Sequence, residues 1–498
     1  MAHSRLIRTA LATVSGLVLS ILSSASICAQ PHLLDGLDAY IERSMEAWEQ
    51  PGLAVAVVQG DSVIYARGFG VRTLAEPDSV DEHTLFAIAS TTKAFTAAAL
   101  GMLVDQGIID WDDAAVRHLS GFRVADPFAT QQITIRDMLT HRTGVSTHNN
   151  VWIAAPFDRK ELVRRMRHLP QATEHRAGYR YNNLIYTAAG EVVGAAAHTT
   201  WDDFLEERIF MPLGMHRTTT RYHVAVSSTN VASPHLRVDG VVTPVPIRNY
   251  DALGGAGSIF SSAYDMAQWV RLHLNRGTYD GLRLLSEATI REMHRPHVNL
   301  GVSQATRNRF PDRTYFAYGL GWRLHDYAGR DVVQHTGTVN FMRSQVAMMP
   351  EEGIGVVILG NLTTSALQTA LMYRVFDALL GRPDRDWSRI FLADYSPSTP
   401  RTPARTPGTT PSLPLEAYEG TYADSLYGPL SITLEDDHLV LRYSPDYVAD
   451  LEHWHHDTFR VHWRSIGFGS TMATFRVNST RARAIRIDGF TEYTRHEP

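Results

Sequence analysis

The chain has 498 residues, of which 44% are hydrophobic and 20% are charged, and its formal net charge at pH 7 is −5. This length and hydrophobic content allow a large core and two or more domains, and they exclude a disordered or fibrous chain. Because the chain has no basic excess, nothing in its composition indicates nucleic-acid binding, and we expect a small-molecule or short-peptide substrate.

The first 29 residues are typical of a secretory signal peptide. Arg5 and Arg8 precede an apolar stretch at 11–22, and small residues follow up to position 29. An uncleaved anchor is the alternative, although polar residues interrupt the apolar stretch and it is shorter than the ~20 residues that span a bilayer. Cleavage would remove the only cysteine, Cys28, whose lipidation is a weaker alternative because a bulky residue precedes it. We therefore expect a secreted or periplasmic protein with no disulfide and no stable membrane span.

Ser90 and Lys93 stand at the start of a predicted helix that ends at Gly107. A helix at 33–49 and a β-hairpin made of runs at 53–58 and 63–66 are predicted before it. Residues three apart share a helix face, and an amine among apolar neighbours has a lowered pKa, so Lys93 could remove the serine proton. The alternative is that Ser90 caps the helix and Lys93 is solvated, as in most Ser-x-x-Lys sequences.

Tyr181 and Asn183 precede a helix rich in small apolar residues. In an extended segment, residues two apart point the same way, so these two side chains could face a cleft together. On the alternative interpretation Tyr181 packs and Asn183 caps the helix. Earlier in the chain, 133–139 predicts a short helix with a glycine cap at Gly144. The segment 251–258 is too glycine-rich for the interior of a helix or strand, so it predicts a loop with close backbone approach. It lacks the GxGxxG order of a dinucleotide-binding motif, which argues against such a site.

The last third of the chain predicts strands, a linker and a second β domain. Antiparallel strands are expected at 331–341, 344–349 and 354–359, followed by a helix at 363–380. Proline-rich sequence then predicts a stiff linker.

Short β-like runs separated by turn residues follow the linker and predict a small antiparallel barrel or sandwich. Its cluster of His453, His455, His456 and Asp457 is better explained as a histidine-rich strand edge than as a metal site.

Three short motifs occur along the chain in the order Ser90-x-x-Lys93, Tyr181-x-Asn183 and His335-Thr336-Gly337. In this combination the chain resembles the serine β-lactamase and penicillin-binding protein superfamily. The tyrosine of the second motif is similar to the branch that contains class C β-lactamases, D-alanyl-D-alanine carboxypeptidases and esterases.

The resemblance implies an α+β fold, in which an antiparallel sheet is flanked by helices with an all-helical subdomain, and a C-terminal lipocalin-like barrel. The expected divisions are a signal peptide at 1–29, a β-lactamase-like hydrolase domain at 30–383, a linker at 384–414 and an accessory barrel at 415–498.

The resemblance also implies a role for each motif residue. Ser90 would be the acylated nucleophile, Lys93 its base or proton shuttle, and Tyr181 the second acid/base; whether Lys93 or Tyr181 takes the first proton stays open. The N–H groups of Ser90 and Thr338 would form the oxyanion hole. The substrate-binding residues would be Asn183, His335, Thr336, Gly337 and Thr338. No metal or cofactor is expected.

His335 departs from the lysine that many members of this superfamily carry, and that lysine would bind a substrate carboxylate. Because imidazole is largely neutral above pH ~6.5, the histidine favours a neutral substrate and weakens the case for a dedicated β-lactamase. We therefore expect an exported serine hydrolase that acts through an acyl-enzyme on a small ester or a D-amino-acid peptide.

Two alternatives to this hydrolase stay open. One is a class C-type β-lactamase or a D-alanyl-D-alanine carboxypeptidase, and the other is a catalytically silent recognition module. The chain has no Gly-x-Ser-x-Gly and no His-Glu-x-x-His sequence, which argues against an α/β-hydrolase and a zinc peptidase.

Overall fold

A computed structural model describes residues 33–154, 156–363, 366–395 and 403–496. The predicted signal peptide, with Cys28, lies outside the described residues, as does part of the predicted linker. Within the described ranges, no helix is both long enough and apolar enough to cross a bilayer.

An eight-stranded antiparallel sheet forms the centre of the first part of the chain. The strands of this part are, in chain order, β1 (Gly52–Gln59), β2 (Ser62–Gly70), β3 (Phe86–Ala87), β4 (His235–Val238), β5 (Val241–Pro244), β6 (Phe260–Ser261), β7 (Thr278–Tyr279), β8 (Leu282–Arg283), β9 (Val298–Asn299), β10 (Phe316–Tyr318), β11 (Arg323–Tyr327), β12 (Arg330–Val339), β13 (Met342–Met349) and β14 (Ile354–Gly360). The order in the main sheet is β2-β1-β14-β13-β12-β11-β10-β9. The N-terminal hairpin therefore lies beside the late strand β14, with Leu53 opposite Gly360.

Helices cover both faces of this sheet. They are α1 (Leu37–Trp48), α2 (Thr92–Asp105), α3 (Ala115–His118), α4 (Pro127–Gln132), α5 (Ile135–Leu139), α6 (Asn150–Ala154), α7 (Arg159–Arg165), α8 (Asn183–Ala197), α9 (Trp201–Leu205), α10 (Tyr222–Ser227), α11 (Ala263–Leu274), α12 (Glu287–Met293), α13 (Gln304–Arg309), α14 (Leu367–Leu379) and α15 (Trp387–Ala393). One apolar core lies between the sheet and α1, α14 and α15, and the other contains α2, α8 and α11. Side chains alternate between the cores along β12, since Val332 belongs to the first and Val333 to the second.

Helix α15 lies inside the segment 384–414 that the sequence predicts as linker. The Trp387 side chain is fully buried, and its Nε1 donates to the Asp377 Oδ2 at 2.7 Å. Trp48 Nε1 donates to the Ser388 Oγ at 3.1 Å, which ties α15 to the N-terminal helix α1. Pro383 therefore marks a short break before one more packed helix, and the boundary of the first domain is better drawn after Ala393.

The C-terminal part is a closed eight-stranded antiparallel barrel. Its strands are β15 (Gly420–Asp424), β16 (Gly428–Glu435), β17 (His438–Ser444), β18 (Tyr447–His455), β19 (Thr458–Trp463), β20 (Ser470–Val477), β21 (Ala482–Ile487) and β22 (Glu492–Arg495). Pairing of β22 with β15 closes the barrel, so of the two predicted β architectures the barrel is confirmed.

The barrel packs against several segments of the first domain, including those around Asn150, Arg165 and Arg248. The Arg248 guanidinium lies 3.7 Å from the centre of the Phe468 ring and donates to the Ile466 carbonyl oxygen at 2.6 Å. The His148 Nδ1 lies 3.2 Å from the Tyr427 hydroxyl. In the same segment, Asn150 Nδ2 donates to a barrel carbonyl oxygen at 2.5 Å. The contacts therefore hold the segment around 148–150 between the two domains.

Candidate active site

Ser90 lies in a 3-10 turn, Ala89–Thr91, that leads directly into α2. Ala89 has a φ of 50°, a left-handed conformation that costs an L residue about 1–2 kcal/mol. The surrounding structure holds this turn, because Thr91 Oγ1 donates to the Ile88 carbonyl oxygen at 2.8 Å and the Ile88 N–H donates to Ile259 at 2.9 Å. Ser90 thus precedes the helix that the sequence predicts it to open, on a strained turn.

The Lys93 amine is fully buried and has three polar neighbours. Its Nζ lies 3.2 Å from the Ser90 Oγ, 2.8 Å from the Asn183 Oδ1 and 2.7 Å from the Ala256 carbonyl oxygen. The last two atoms only accept hydrogen bonds, so they take the two N–H groups of a neutral amine and leave its lone pair for the serine hydroxyl. The geometry fits an uncharged lysine that can accept the serine proton.

Burial moves the pKa values of Lys93 and Tyr181 in opposite directions. Desolvation, followed by the positive charge of Arg323, lowers the pKa of Lys93 well below its ordinary value. Desolvation raises the pKa of Tyr181 to about 12, although a hydrogen bond with Ser90 and the charge of Arg323 act against it. At neutral pH the amine is therefore available as a base, while the phenol keeps its proton.

The second motif divides its two asparagines between different tasks. Asn182 caps α8, because its side chain accepts from the Ile185 N–H at 3.2 Å. Asn183 is left free to accept from Lys93, and its Nδ2 donates to the Asn149 Oδ1 at 3.1 Å. The capping role that the sequence allowed for Asn183 thus falls to its neighbour.

The third motif lies against the turn that carries Ser90. A Cβ at Gly337 would lie 2.1 Å from the Ile88 carbonyl oxygen, so only glycine allows β12 to approach this closely. On its other edge β12 pairs with β11 only up to Gln334, which leaves 335–339 with one open edge. Thr338 is exposed there, whereas His335 and Gly337 are buried.

His335 is a neutral, buried ring in this site. Desolvation, followed by the positive charge of Arg323, lowers the pKa of His335 well below its ordinary value. Its Nδ1 lies 2.7 Å from the Thr336 carbonyl oxygen, which can only accept, so Nδ1 carries the proton and Nε2 accepts from the Tyr318 hydroxyl at 3.1 Å. His335 therefore cannot attract a substrate carboxylate by becoming charged near neutral pH.

Two arginines near the site were not found by the sequence analysis. Arg323 pairs with Gln334 across β11 and β12, and Arg343 lies opposite Thr338 across β12 and β13. Burial, together with the charge of Arg323, lowers the pKa of Arg343 to about 10. Within the described chain, neither guanidinium has a carboxylate within ion-pair distance, and each has a buried Nε without a hydrogen-bond partner. Arg323 is close enough for its charge to act on Lys93, Tyr181 and His335, a proximity that no local motif signals.

His141 is the third residue that the motifs missed. Its φ is 59°, so the first left-handed residue after α5 is His141; because α5 ends at Leu139, the predicted cap at Gly144 is wrong. The ring centre lies 4.3 Å from that of Tyr181, and Nδ1 accepts from the Asn182 N–H at 3.1 Å. Burial lowers the pKa of His141 well below its ordinary value, so a neutral ring supports the Tyr181 side chain.

Two family models match the two domains of the chain. A model of the beta-lactamase family matches residues 37–379, which is more than half of the chain, and a domain of unknown function, DUF3471, matches 404–497. The unguisins hydrolase ungD of Aspergillus violaceofuscus is 30% identical over 442 residues, covering 81% of this chain and 77% of that protein. Penicillin-binding protein 4 of Amycolatopsis lactamdurans is 29% identical over 345 residues, covering 66% and 85%.

Solved structures share the whole architecture. The octameric penicillin-binding protein homologue from Pyrococcus abyssi is 20% identical with a TM-score of 0.64, covering 92% of this chain and 99% of that one. SurE is 21% identical with a TM-score of 0.58, covering 93% and 99%, and a structure of SurE with D-Leu gives 19% and 0.55. The predicted combination of an α+β hydrolase fold with a C-terminal barrel is confirmed.

Proposed function

The chain belongs to the serine β-lactamase and penicillin-binding protein superfamily, whose members are serine hydrolases, and from that premise we propose that it cleaves an amide or ester through an acyl-enzyme on Ser90. The observation that carries the proposal is the position of the Lys93 amine, 3.2 Å from the Ser90 Oγ with its other two neighbours both acceptors. A lysine with only a structural or recognition role has no need of such a serine neighbour.

In the proposed acylation step, Ser90 Oγ attacks the carbonyl carbon while its proton passes to the neutral Lys93 amine. The resulting oxyanion is stabilised by the N–H groups of Ser90 and Thr338, a contribution typically worth ~10²–10³ in rate per donor. Tyr181 then gives its proton to the leaving nitrogen or oxygen, and Lys93 returns a proton to Tyr181. The C–N or C–O bond breaks, and the acyl group stays on Ser90.

Deacylation uses the same groups in reverse. Water attacks the ester carbonyl of the acyl-enzyme and gives up a proton to the Tyr181–Lys93 pair, and the proton returns to Ser90 Oγ as the acid leaves. Asn183 holds the amine in place during both steps, because it accepts from Nζ at 2.8 Å.

We propose further that the substrate carries a carboxylate beside the scissile bond. From the sequence alone, the histidine at position 335 favours a neutral ester. In the structure, Arg323 and Arg343 supply the fixed positive charge that the third motif lacks. Buried or half-buried cations without a carboxylate partner are costly, and an anionic substrate group would offset that cost. Of the two substrate classes expected, a peptide ending in a D-amino acid therefore fits better than a small ester.

Export of the protein is part of the same proposal. A charged N-terminus, an apolar stretch and small residues in the first 29 positions support it. A hydrolase acting on D-amino-acid peptides would meet such substrates outside the cytoplasm.

Acylation of Ser90 is tested directly by intact-mass spectrometry. Wild type treated with a fluorophosphonate, a penicillin and a p-nitrophenyl ester should gain one adduct mass from each reagent that acylates it, and Ser90→Ala should gain none. Ser120→Ala, which alters an exposed serine outside the site, is the matched control and should label like wild type. Full-rate labelling of Ser90→Ala would overturn the proposal.

A further inference from the structure

A cavity of about 460 Å³ lies on the face of the sheet opposite to Ser90. Strands β10–β13 form one wall, and α13 and α14 form the others. Gln334 and Thr336 line it, and they alternate along β12 with His335 and Gly337, whose side chains lie on the catalytic face. The cavity is within the size range of small-molecule sites, and of the residues that line it only Thr336 is a predicted substrate-binding residue.

The inner wall of this cavity carries a buried cation. Arg313 is 9% exposed, its Nε donates to the Asp326 backbone oxygen at 3.2 Å, and its Nη2 donates to the Tyr373 hydroxyl at 2.8 Å. Both acceptors are neutral, and in the described part of the chain no carboxylate lies within ion-pair distance of Arg313. No Asp or Glu lines the cavity, so the charge of Arg313 faces a space without a counterion.

His325 adds an unused donor beside Arg313. It is 2% exposed, and its Nδ1 is buried without a hydrogen-bond partner in the described structure. The Tyr373 hydroxyl already accepts from Arg313, so its own proton can go to the His325 Nε2 at 3.5 Å, which leaves the ring proton on Nδ1. A guanidinium and an imidazole N–H thus flank the same cavity wall.

Aromatic side chains form the rest of the cavity wall. The Arg313 guanidinium lies 4.5 Å from the centre of the Phe310 ring, and Phe316, Met372 and Phe391 also line the space. From these contacts we propose that the cavity is a binding site for a small organic carboxylate with an aromatic or aliphatic body, on the sheet face opposite to Ser90. The carboxylate accepts from Arg313 and His325, and the apolar body packs on the phenylalanines.

Isothermal titration calorimetry on the full chain tests this site with 2-naphthoate as the probe and neutral 2-naphthamide as its match. Wild type should bind the acid at one site and the amide at least about tenfold more weakly, since a charge-assisted hydrogen bond is lost. Arg313→Gln should weaken binding of the acid by at least about tenfold. Ala305→Trp, which fills the mouth from α13 and removes no polar contact, should abolish it.

Two further variants separate this site from other sources of binding. Arg291→Gln removes an exposed arginine from α12 and should bind like wild type. Arg323→Gln removes the cation near the catalytic groups and should also keep the probe. Loss of binding in Arg323→Gln with retention in Arg313→Gln would place the probe in the catalytic cleft. Absence of binding by wild type would overturn the proposal. Wild-type affinity in Ala305→Trp would also overturn it, and this test does not depend on whether Arg313→Gln folds.

Discussion

At the scale of single residues, the site depends on one lysine being uncharged. The two acceptors around the Lys93 amine and its complete burial both favour the neutral form, whereas burial keeps Tyr181 protonated. The sequence could bring these residues together through the family resemblance, but the order of proton transfer follows only from their surroundings. In the proposed mechanism, burial and hydrogen bonding rather than residue type favour Lys93 over Tyr181 as the first base.

Replacing Lys93 by arginine should reduce kcat/KM by at least about 10²-fold, because the guanidinium stays protonated and cannot act as a base. Lys160→Arg, at an exposed position, should be unaffected. In wild type, kcat/KM should rise with pH as Lys93 loses its proton, and this limb should lie well below the ordinary pKa of lysine. Measured pH–rate profiles check both points, and a limb at the ordinary lysine pKa would show a charged, structural Lys93.

The charge of Arg323 leads to a prediction about which class of substrate the protein prefers. For a matched pair of substrates, one with a free carboxylate and one with a carboxamide, wild type should show a lower KM for the acid. The preference should persist between pH 6 and 8, because burial keeps the pKa of His335 well below its ordinary value and a guanidinium is charged throughout this window. Arg323→Gln should remove most of the preference for the acid. Arg330→Gln, at an exposed position on the same sheet, should leave the preference unchanged. Equal KM values for acid and amide in wild type would return the neutral ester to first place.

At the scale of elements, the helices and strands that could be predicted are those with a clear local sequence pattern. The hairpin, the strand pair around the third motif and the barrel have alternating or motif-bearing sequences, so their existence was predictable. Helix α15 was not predictable, because it is short and lies between a proline and a proline-rich stretch, both of which are typical of a linker. The three residues missed at the site, Arg323, Arg343 and His141, are placed by register and by a left-handed φ, which single-chain patterns do not encode.

Helix α15 determines where the barrel can be removed. A chain of residues 33–395 should fold cooperatively and still be acylated at Ser90. A chain of 33–381 lacks Trp387, whose loss costs about 3–5 kcal/mol, and its Tm should be lower by about 10 °C. Thermal melting followed by circular dichroism compares the two. Equal Tm values would mean that α15 is dispensable and that 381 is the true boundary.

At the scale of the whole molecule, buried neutral histidines make stability depend on pH. Burial lowers the pKa values of His141, His273, His325 and His335 well below the ordinary value, and lowers that of His294 to about 3. Below pH ~6.5 the unfolded chain binds protons that the folded chain cannot, so the free energy of unfolding falls as the pH falls. The carboxyls of Glu191, Asp251 and Asp265, whose pKa values are raised by burial, oppose this trend.

His294→Gln isolates one of these contributions. Between pH 7.5 and 5.5 the variant should lose about 1.4 kcal/mol less stability than wild type, since one proton no longer distinguishes the two states. His216→Gln, at an exposed site, should keep the wild-type slope. Urea denaturation at both pH values measures the difference. An unchanged slope in His294→Gln would mean that this ring is protonated in the folded protein.

The position of β1 in the main sheet also determines when, during synthesis, the site around Ser90 can form. β1 pairs on one side with β2, which follows it directly in sequence. On its other side Val55 pairs with Ile358, about 300 residues later, and the Ser90 turn packs against Gly337. Contacts between such distant residues form late and slowly. In a chain still emerging from the ribosome the Ser90 turn therefore lacks the strand that carries Gly337, and the proposed acylation requires that synthesis of the first domain be complete.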